Sequence, residues 1–317
     1  MEDVKVTVLM PAYNVEKYIG ESIDSILRQS FTDFELVIVN DCSSDDTEAV
    51  IRSYSDPRIV LINQSNQGIS AALNAGLLVA KGKYIARMDS DDICVPERLQ
   101  LQYDFLEQHP DYVLAGTDSE YMDKDGEYLY RYANFGHSYE EICRNIELGC
   151  PFIHTSVFYK KEVVVRLGGY ELKAHLFEDY LLWTKVIREG KAINFETPLV
   201  TMRLNPTSLT VDEKLRGKRF AEIKREFIFG GRPITDEQEA ELIGILKSQN
   251  FSRFKQYGYY SLVAKKCLWN NHQPGKARRH AWKAVRLKPL QPMGYVLFLL
   301  SFLPQKTLRY LHQKSKS

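Results

Sequence analysis

Nothing in this 317-residue chain is arranged for a disulfide framework or a zinc site. Its five cysteines, Cys42, Cys94, Cys143, Cys150 and Cys267, are odd in number, and no two have C-x-x-C spacing. That usage fits a reducing compartment. No basic segment followed by an apolar stretch opens the chain, as a secretory signal would. The longest apolar run, Tyr295–Leu303 with one serine in it, falls short of the about 20 residues that a bilayer span needs. There is no G-x-G-x-x-G for a dinucleotide and no Walker lysine motif for a nucleoside triphosphate. Low-complexity tracts are also missing. A composition of 44% hydrophobic and 26% charged residues excludes wholesale disorder and collagen. At roughly 150 residues per domain, two domains are expected.

What is present is unevenly spread. The net charge of +1 hides an asymmetry: residues 251–317 hold 14 Lys and Arg and no Asp or Glu, leaving 28 against 41 in the first 250 residues. An acidic body carries a basic tail, and the function has to account for both.

The first hundred residues alternate between two periodicities. Val6–Met10, Leu36–Val39, Ile59–Ile62 and Tyr84–Met88 are short apolar runs. Between them lie an amphipathic stretch with Ile19, Ile23, Ile26 and Leu27 on one face, a polar stretch, and the Ala-rich Ile69–Ala80. Apolar strands separated by helices predict a parallel sheet buried on both faces, wound with right-handed crossovers. The segment 101–211 is mixed and more aromatic, with a hairpin signal at Asp123-Lys124-Asp125-Gly126. Residues 212–250 read as helical, broken at Gly230–Pro233, and Thr235 with Gln238 forms a capping box for the second helix. The basic tail predicts two further helices, Tyr257–Asn270 and Lys276–Leu287.

In an open parallel sheet, ligands bind beyond the carboxyl ends of the strands. The segments that follow the four apolar runs are Pro11-Ala12-Tyr13-Asn14, Asn40–Asp45, Asn66-Gln67-Gly68 and Asp89-Ser90-Asp91-Asp92. Polar loops and acidic helix caps are common one at a time. Four at equivalent places predict a binding edge. In the last, three carboxylates within four residues repel unless some stay protonated or a cation sits among them. Oxygen donors suit Mg²⁺ or Mn²⁺, which take one or two carboxylates plus substrate phosphates.

These blocks, PAYN, ELVIVNDCSSDDT and NQGISAALNAGLLVAKGKYIARMDSDD, resemble the nucleotide-sugar domain of family 2 glycosyltransferases. The resemblance continues through PFIHTSVFYKKEVVVRLGGY, FEDYLLW and MRLNPTSLT, so it covers about residues 4–210. It implies a GT-A fold: a Rossmann-like, mostly parallel sheet flanked by helices, here with a helical C-terminal extension. It also implies two parts, a nucleotide-sugar half (1–100) and an acceptor half carrying the catalytic base (101–211); residues 212–317, which it does not cover, read as a helical extension ending in the basic tail.

The resemblance assigns roles residue by residue. Tyr13 would pack on the nucleotide base, with Pro11, Ala12 and Asn14 lining the same pocket. Asp41 would hydrogen-bond the base; the acid usually preceding it is replaced by Asn40. Asp89 would contact ribose or sugar, and Asp91, with Asp92, would hold Mn²⁺ or Mg²⁺. Asp179 would be the catalytic base, with Glu178 beside it. His154 falls in the segment expected to line the acceptor pocket, although a buried structural histidine fits the residues equally. Arg203 would clamp phosphate, but Asn205 stands where the family often has His.

The implied reaction is coherent. An acceptor hydroxyl attacks the anomeric carbon and loses its proton to a carboxylate on the face opposite the leaving group. The product is inverted, and general-base catalysis of this kind contributes roughly 10²–10⁴-fold. The chain lacks the Q-x-x-R-W motif of polymer-making relatives, which predicts transfer of single sugars. The tail reads as a basic helical pair packed on the acidic body or as an anchor on an anionic membrane. The second reading implies a lipid-linked glycan acceptor and a cytoplasmic enzyme, peripheral at the inner face of the plasma membrane. No nucleic-acid motif is present. The rival from another class is a non-catalytic membrane-docking scaffold with a degenerate nucleotide-binding fold, which the intact Asp91 and Asp179 argue against. A nucleotidyltransferase would need a basic Gly-rich loop after the first strand, and that is absent.

Overall fold

The structure is a computed structural model that describes residues 4–205, 216–249 and 252–314. The chain divides into two compact units. The first comprises residues 1–119, 132–202 and 226–234; the second comprises 120–131, 203–225 and 235–317.

The predicted alternation is realised. Strand β1 (Val6–Ala12), helix α1 (Ile19–Leu27), β2 (Phe34–Asn40), α2 (Thr47–Arg52), β3 (Ile59–Asn63), α3 (Ile69–Val79) and β4 (Tyr84–Arg87) follow in order. Strands β3, β2, β1 and β4 lie side by side and parallel. Alternate residues of these strands enter two separate cores. Leu9, Val37, Val39 and Ile85 enter one, and Val8, Met10, Leu36, Ile38 and Ala86 the other, so the sheet is buried on both faces. Only β3, at the edge, is half-buried. Gly76 lets α3 lie close on the sheet, where a Cβ would strike the Leu9 side chain.

The chain then changes direction. After β5 (Ile93–Cys94) and α4 (Arg98–Gln108) come β6 (Tyr112–Met122) and β7 (Tyr128–Tyr132). Their turn is the Asp123–Gly126 hairpin, with Gly126 at φ 85°. Next are α5 (Tyr139–Asn145), β8 (Phe158–Lys160), α6 (Lys161–Arg166), α7 (Glu178–Val186) and β9 (Lys191–Arg203). The sheet order continues past β4 as β8, β6, β9 and β5, and β8 pairs antiparallel with both β4 and β6.

The second unit is mostly helical. It includes most of α8 (Gly217–Gly230), then α9 (Asp236–Gln249), α10 (Ser252–Trp269), α11 (Pro274–Leu287), α12 (Pro292–Leu300) and α13 (Gln305–Lys314). The Thr235–Gln238 box caps α9: the Gln238 amide donates to Thr235 Oγ1 at 3.3 Å, and the Thr235 amide to Gln238 Oε1 at 3.2 Å. Helix α11 turns Ala277, Ala281 and Ala284 inward. Lys276 pairs with Asp123 at 3.4 Å and with Glu127, so part of the basic tail answers acids of the β6–β7 hairpin. Among the described residues no helix is long and apolar enough to cross a membrane.

Candidate active site

Three parallel strands end level, with Ala12 opposite Asn40 and Asn40 opposite Asn63. Pro11 sits in β1 beyond the last β1–β4 pair, Leu9 with Arg87, so its missing N–H breaks no ladder there. Ala12 is buried, and Tyr13 emerges beyond it with half its surface exposed. Asn14 is left-handed, at φ 52°, and its Oδ1 accepts the Ser44 amide at 2.8 Å. Asn40 donates Nδ2–H to Asn63 Oδ1 at 2.8 Å, a bond that an aspartate could not donate. Asp41 is buried and accepts from three donors: Gln64 Nε2 at 2.8 Å, the Gln67 amide at 2.9 Å and the Gly68 amide at 2.8 Å. It thereby fixes the loop that leads into α3. Asp45 has a different task. Although burial opposes its charge, its bonds to Thr47 and to the Glu16 amide hold its carboxyl below the usual range.

The acidic turn after β4 rests on two buried arginines. Arg87, 1% exposed, pairs with Asp89. Burial opposes its charge, but Asp89 foremost, and more weakly Asp92, hold it protonated. Arg98 donates Nη2–H to the Arg87 carbonyl at 2.7 Å and Nε–H to Gln102 at 3.1 Å. Asp91 is partly exposed and Asp92 is buried. The Asp92 carbonyl accepts the Ser22 hydroxyl at 2.7 Å. The Asp89 amide donates to Thr155 Oγ1 at 2.9 Å, tying the turn to the segment before β8.

The other wall of the site is built from that segment and from α7. His154 Nε2 lies 3.3 Å from the Tyr170 hydroxyl, and its ring packs edge-on to Trp183. Burial first, and then the Arg87 charge, push its pKa well below the usual histidine value, so it is neutral at physiological pH. Asp179, in the first turn of α7, accepts its neighbour Tyr180's amide at 2.7 Å, and the Cys150 thiol reaches its Oδ2 at 3.8 Å. Glu178 is buried beside it. Leu176, just upstream, is left-handed at φ 65°, which a branched aliphatic side chain rarely adopts and which marks a locally constrained turn.

A chain of contacts links these walls. Asp41 anchors Gly68 at the start of α3, and Asn74 of α3 exchanges two 2.8 Å bonds with the Tyr170 backbone. Tyr170 lies within electrostatic reach of both Arg87 and Asp179. Pro11, Ala12, Tyr13, Asn14, Asp41, Asp89, Asp91, Asp92, His154, Glu178 and Asp179 all belong to the first unit. Arg203, buried at the end of β9, belongs to the second. Most of the MRLNPTSLT block, from residue 206 on, lies outside the described residues. No group of three or more His, Cys, Asp or Glu among the described residues could hold a metal alone. The donor set after β4 instead fits an ion that takes one or two carboxylates and draws its other ligands from a diphosphate.

The sequence reading missed Arg87, Arg98 and Cys150. A lone arginine inside the apolar run YIARM was the available signal, since a charge in a buried strand needs an opposite charge nearby. Nothing local marked Cys150.

The family model described as "Glycosyl transferase family 2" matches residues 7–167, which include β1 through β4, the acidic turn and β8. The chain belongs to that family. This family 2 glycosyltransferase is 36% identical over 193 residues to an uncharacterized glycosyltransferase of Haemophilus influenzae, covering 59% of this chain and 71% of the relative. It is 29% identical over 230 residues to WfgD of Escherichia coli, a UDP-Glc:alpha-D-GlcNAc-diphosphoundecaprenol beta-1,3-glucosyltransferase, covering 72% and 85%. Its fold is similar to that of Staphylococcus aureus TarS 1–349, solved in complex with UDP. The TM-score is 0.58 at 18% identity, covering 98% of this chain and 91% of that one. The glycosyltransferase therefore has the GT-A fold, a curled sheet flanked by helices, followed by C-terminal helices.

Proposed function

We propose that this glycosyltransferase moves a single sugar, with inversion, from a uridine-diphosphate sugar to a lipid-linked glycan. It would do so in surface-polysaccharide synthesis at the cytoplasmic face of the membrane. The observation that supports the reading is the chain of contacts that connects its residues: Asp41 holds the start of α3, Asn74 of α3 holds Tyr170, and Tyr170 lies within electrostatic reach of Arg87 and Asp179. The similarity to WfgD, whose name states a UDP-glucose donor and a diphosphoundecaprenol acceptor, supports the donor and acceptor classes. Residues 1–100 serve the donor, 101–211 the acceptor, and 212–317 form the extension.

Tyr13 covers the base, in the pocket of Pro11, Ala12 and Asn14, and Asp41, which also holds the 64–68 loop, hydrogen-bonds the base. Asp89, fixed by Arg87, meets the ribose or sugar. Asp91, with Asp92 below it, would hold Mn²⁺ or Mg²⁺, and a bound ion neutralises charge on the departing diphosphate. Asp179 accepts the proton of the acceptor hydroxyl. One of its oxygens accepts the Tyr180 amide, and the Cys150 thiol reaches the other. His154, held neutral, adds no charge to that wall. Arg203 keeps the phosphate-clamp role that the resemblance implies for it.

Asp179→Asn should lower transfer by at least 10²-fold while donor affinity stays within about twofold, measured by turnover and calorimetry. Near-normal turnover would remove Asp179 from the base role. Asp91→Ala should abolish the Mn²⁺ dependence of donor binding; equal donor affinity with and without Mn²⁺ in the parent protein would refute the metal role.

A further inference from the structure

The C-terminal helices carry a surface that their own core does not use. Helix α12 has the sequence PMGYVLFLL, apolar on every side, yet only Gly294 and Leu297 of it are buried. Leu299 is 67% exposed, Phe302 just beyond the helix 56%, Met293 54%, and Trp282 on the adjoining α11 49%. Trp282 and Phe302 are joined through Phe298 into one patch. The Trp282 ring packs tilted against Phe298 at 5.4 Å, Phe298 meets Phe302 edge-on at 5.3 Å, and the Arg278 guanidinium caps Phe302 at 3.8 Å. Contiguous exposed apolar surface of this kind marks an interaction site rather than ordinary surface scatter.

The tail's own charges around the patch are all of one sign, while acids of the β6–β7 hairpin face α11 at Lys276 and, through Asp125, at Lys283. On α11 the exposed positions 279, 282, 283 and 286 recur at helical spacing, placing Arg279, Lys283 and Arg286 on the face that bears Trp282. No Asp or Glu occurs anywhere from residue 251 on.

We infer that α12 is a wedge that enters the headgroup region of an anionic bilayer, with the exposed face of α11 lying on the phosphates. A nine-residue helix cannot span a bilayer but can embed its apolar side at the boundary, with Trp at the interface and Lys and Arg against anionic lipid. Self-association through the same face would set cation against cation, which disfavours a second copy as its occupant. The inference sharpens the membrane reading above and rests on it for the kind of surface. It is independent of the sugar and of the catalytic base.

The test is co-sedimentation of the full chain with phosphatidylcholine vesicles, with and without phosphatidylglycerol, alongside Trp emission. Binding should need phosphatidylglycerol, weaken as salt is raised, and blue-shift an emission component that Trp282→Phe removes. Arg279→Gln, Lys283→Gln and Arg286→Gln together should lower partitioning roughly fivefold per charge, on the order of a hundredfold in all. Leu299→Ser with Phe302→Ser should abolish the blue shift. All five side chains are exposed, so an unchanged thermal midpoint confirms folding. Turnover of a soluble donor–acceptor pair should be unaffected in every variant, which separates this inference from the transferase reading. Equal binding to both vesicle types, or full binding by the triple variant, would overturn it. So would a dimer, dispersed by the Leu299 and Phe302 substitutions, that does not bind vesicles.

Discussion

An arginine almost wholly withdrawn from water is tolerable only where its charge is answered, and Arg87 is answered by acids on the turn that follows it. Removing it leaves those acids clustered without their counter-charge. Arg87→Met is expected to destabilise the protein by about 3 kcal/mol in urea unfolding. It should also raise the donor KM more than it lowers kcat, because Asp89 loses its fixed orientation. Arg87→Lys should recover part of the affinity, since it keeps the charge but not the guanidinium fork. The family resemblance, through the order of its motif blocks, is what named Tyr13, Asp41, Asp91 and Asp179 as candidate site residues. It could not reveal that Asp41 spends three bonds on the 64–68 loop, because those donors lie more than twenty residues away.

Secondary elements were the most legible level wherever one periodicity ran unbroken. The parallel strands and α1 appear where their apolar spacing put them, with β1 and β2 extended by one or two residues into the polar edge. The Thr235–Gln238 box and the Asp-Gly turn were readable because their chemistry is local. The short antiparallel pieces were not. β8 is only three residues long and β5 only two, and such strands exist because neighbours pair with them rather than by propensity. Close approach of elements was equally hidden. A Cβ on Gly82 would land on the Thr7 backbone amide, whereas one on Gly76 meets the end of the Leu9 side chain, which can turn aside. Gly82→Ala should therefore cost clearly more stability than Gly76→Ala, roughly 3 against 1 kcal/mol by urea midpoint. Thr235→Ala should cost about 1 kcal/mol through loss of the cap.

At the scale of the whole chain, acid should destabilise the fold in a defined window. His154, in the first unit, is kept neutral by burial and by Arg87, and in the second unit burial brings His280 down to about 4. Both folded-state values lie below the unfolded value near 6.5, so the unfolded chain binds more protons across that interval. Stability is then fully present above about pH 6.5 and declines on acidification, by up to about 1.4 kcal/mol per pH unit for each group. Urea midpoints measured from pH 7.5 to 4.5 should fall, and His280→Asn should reduce the slope. A flat profile would mean that neither ring is neutral for the reasons given. The charge asymmetry was also legible at this scale. The division into units was not, because it depends on the 120–131 hairpin joining helices more than a hundred residues later.

The reversal of direction at β8 has a consequence for how such an enzyme can diversify. Because β8 runs against β4, the segment just before it returns to the edge where β4 finishes, with the Arg87 amide on the Val157 carbonyl and the Asp89 amide on Thr155. The 65 residues between Asp89 and Thr155 leave and re-enter the same seam. Variation within it has to spare Arg98, which donates to the Arg87 carbonyl, and β6, which pairs with β8.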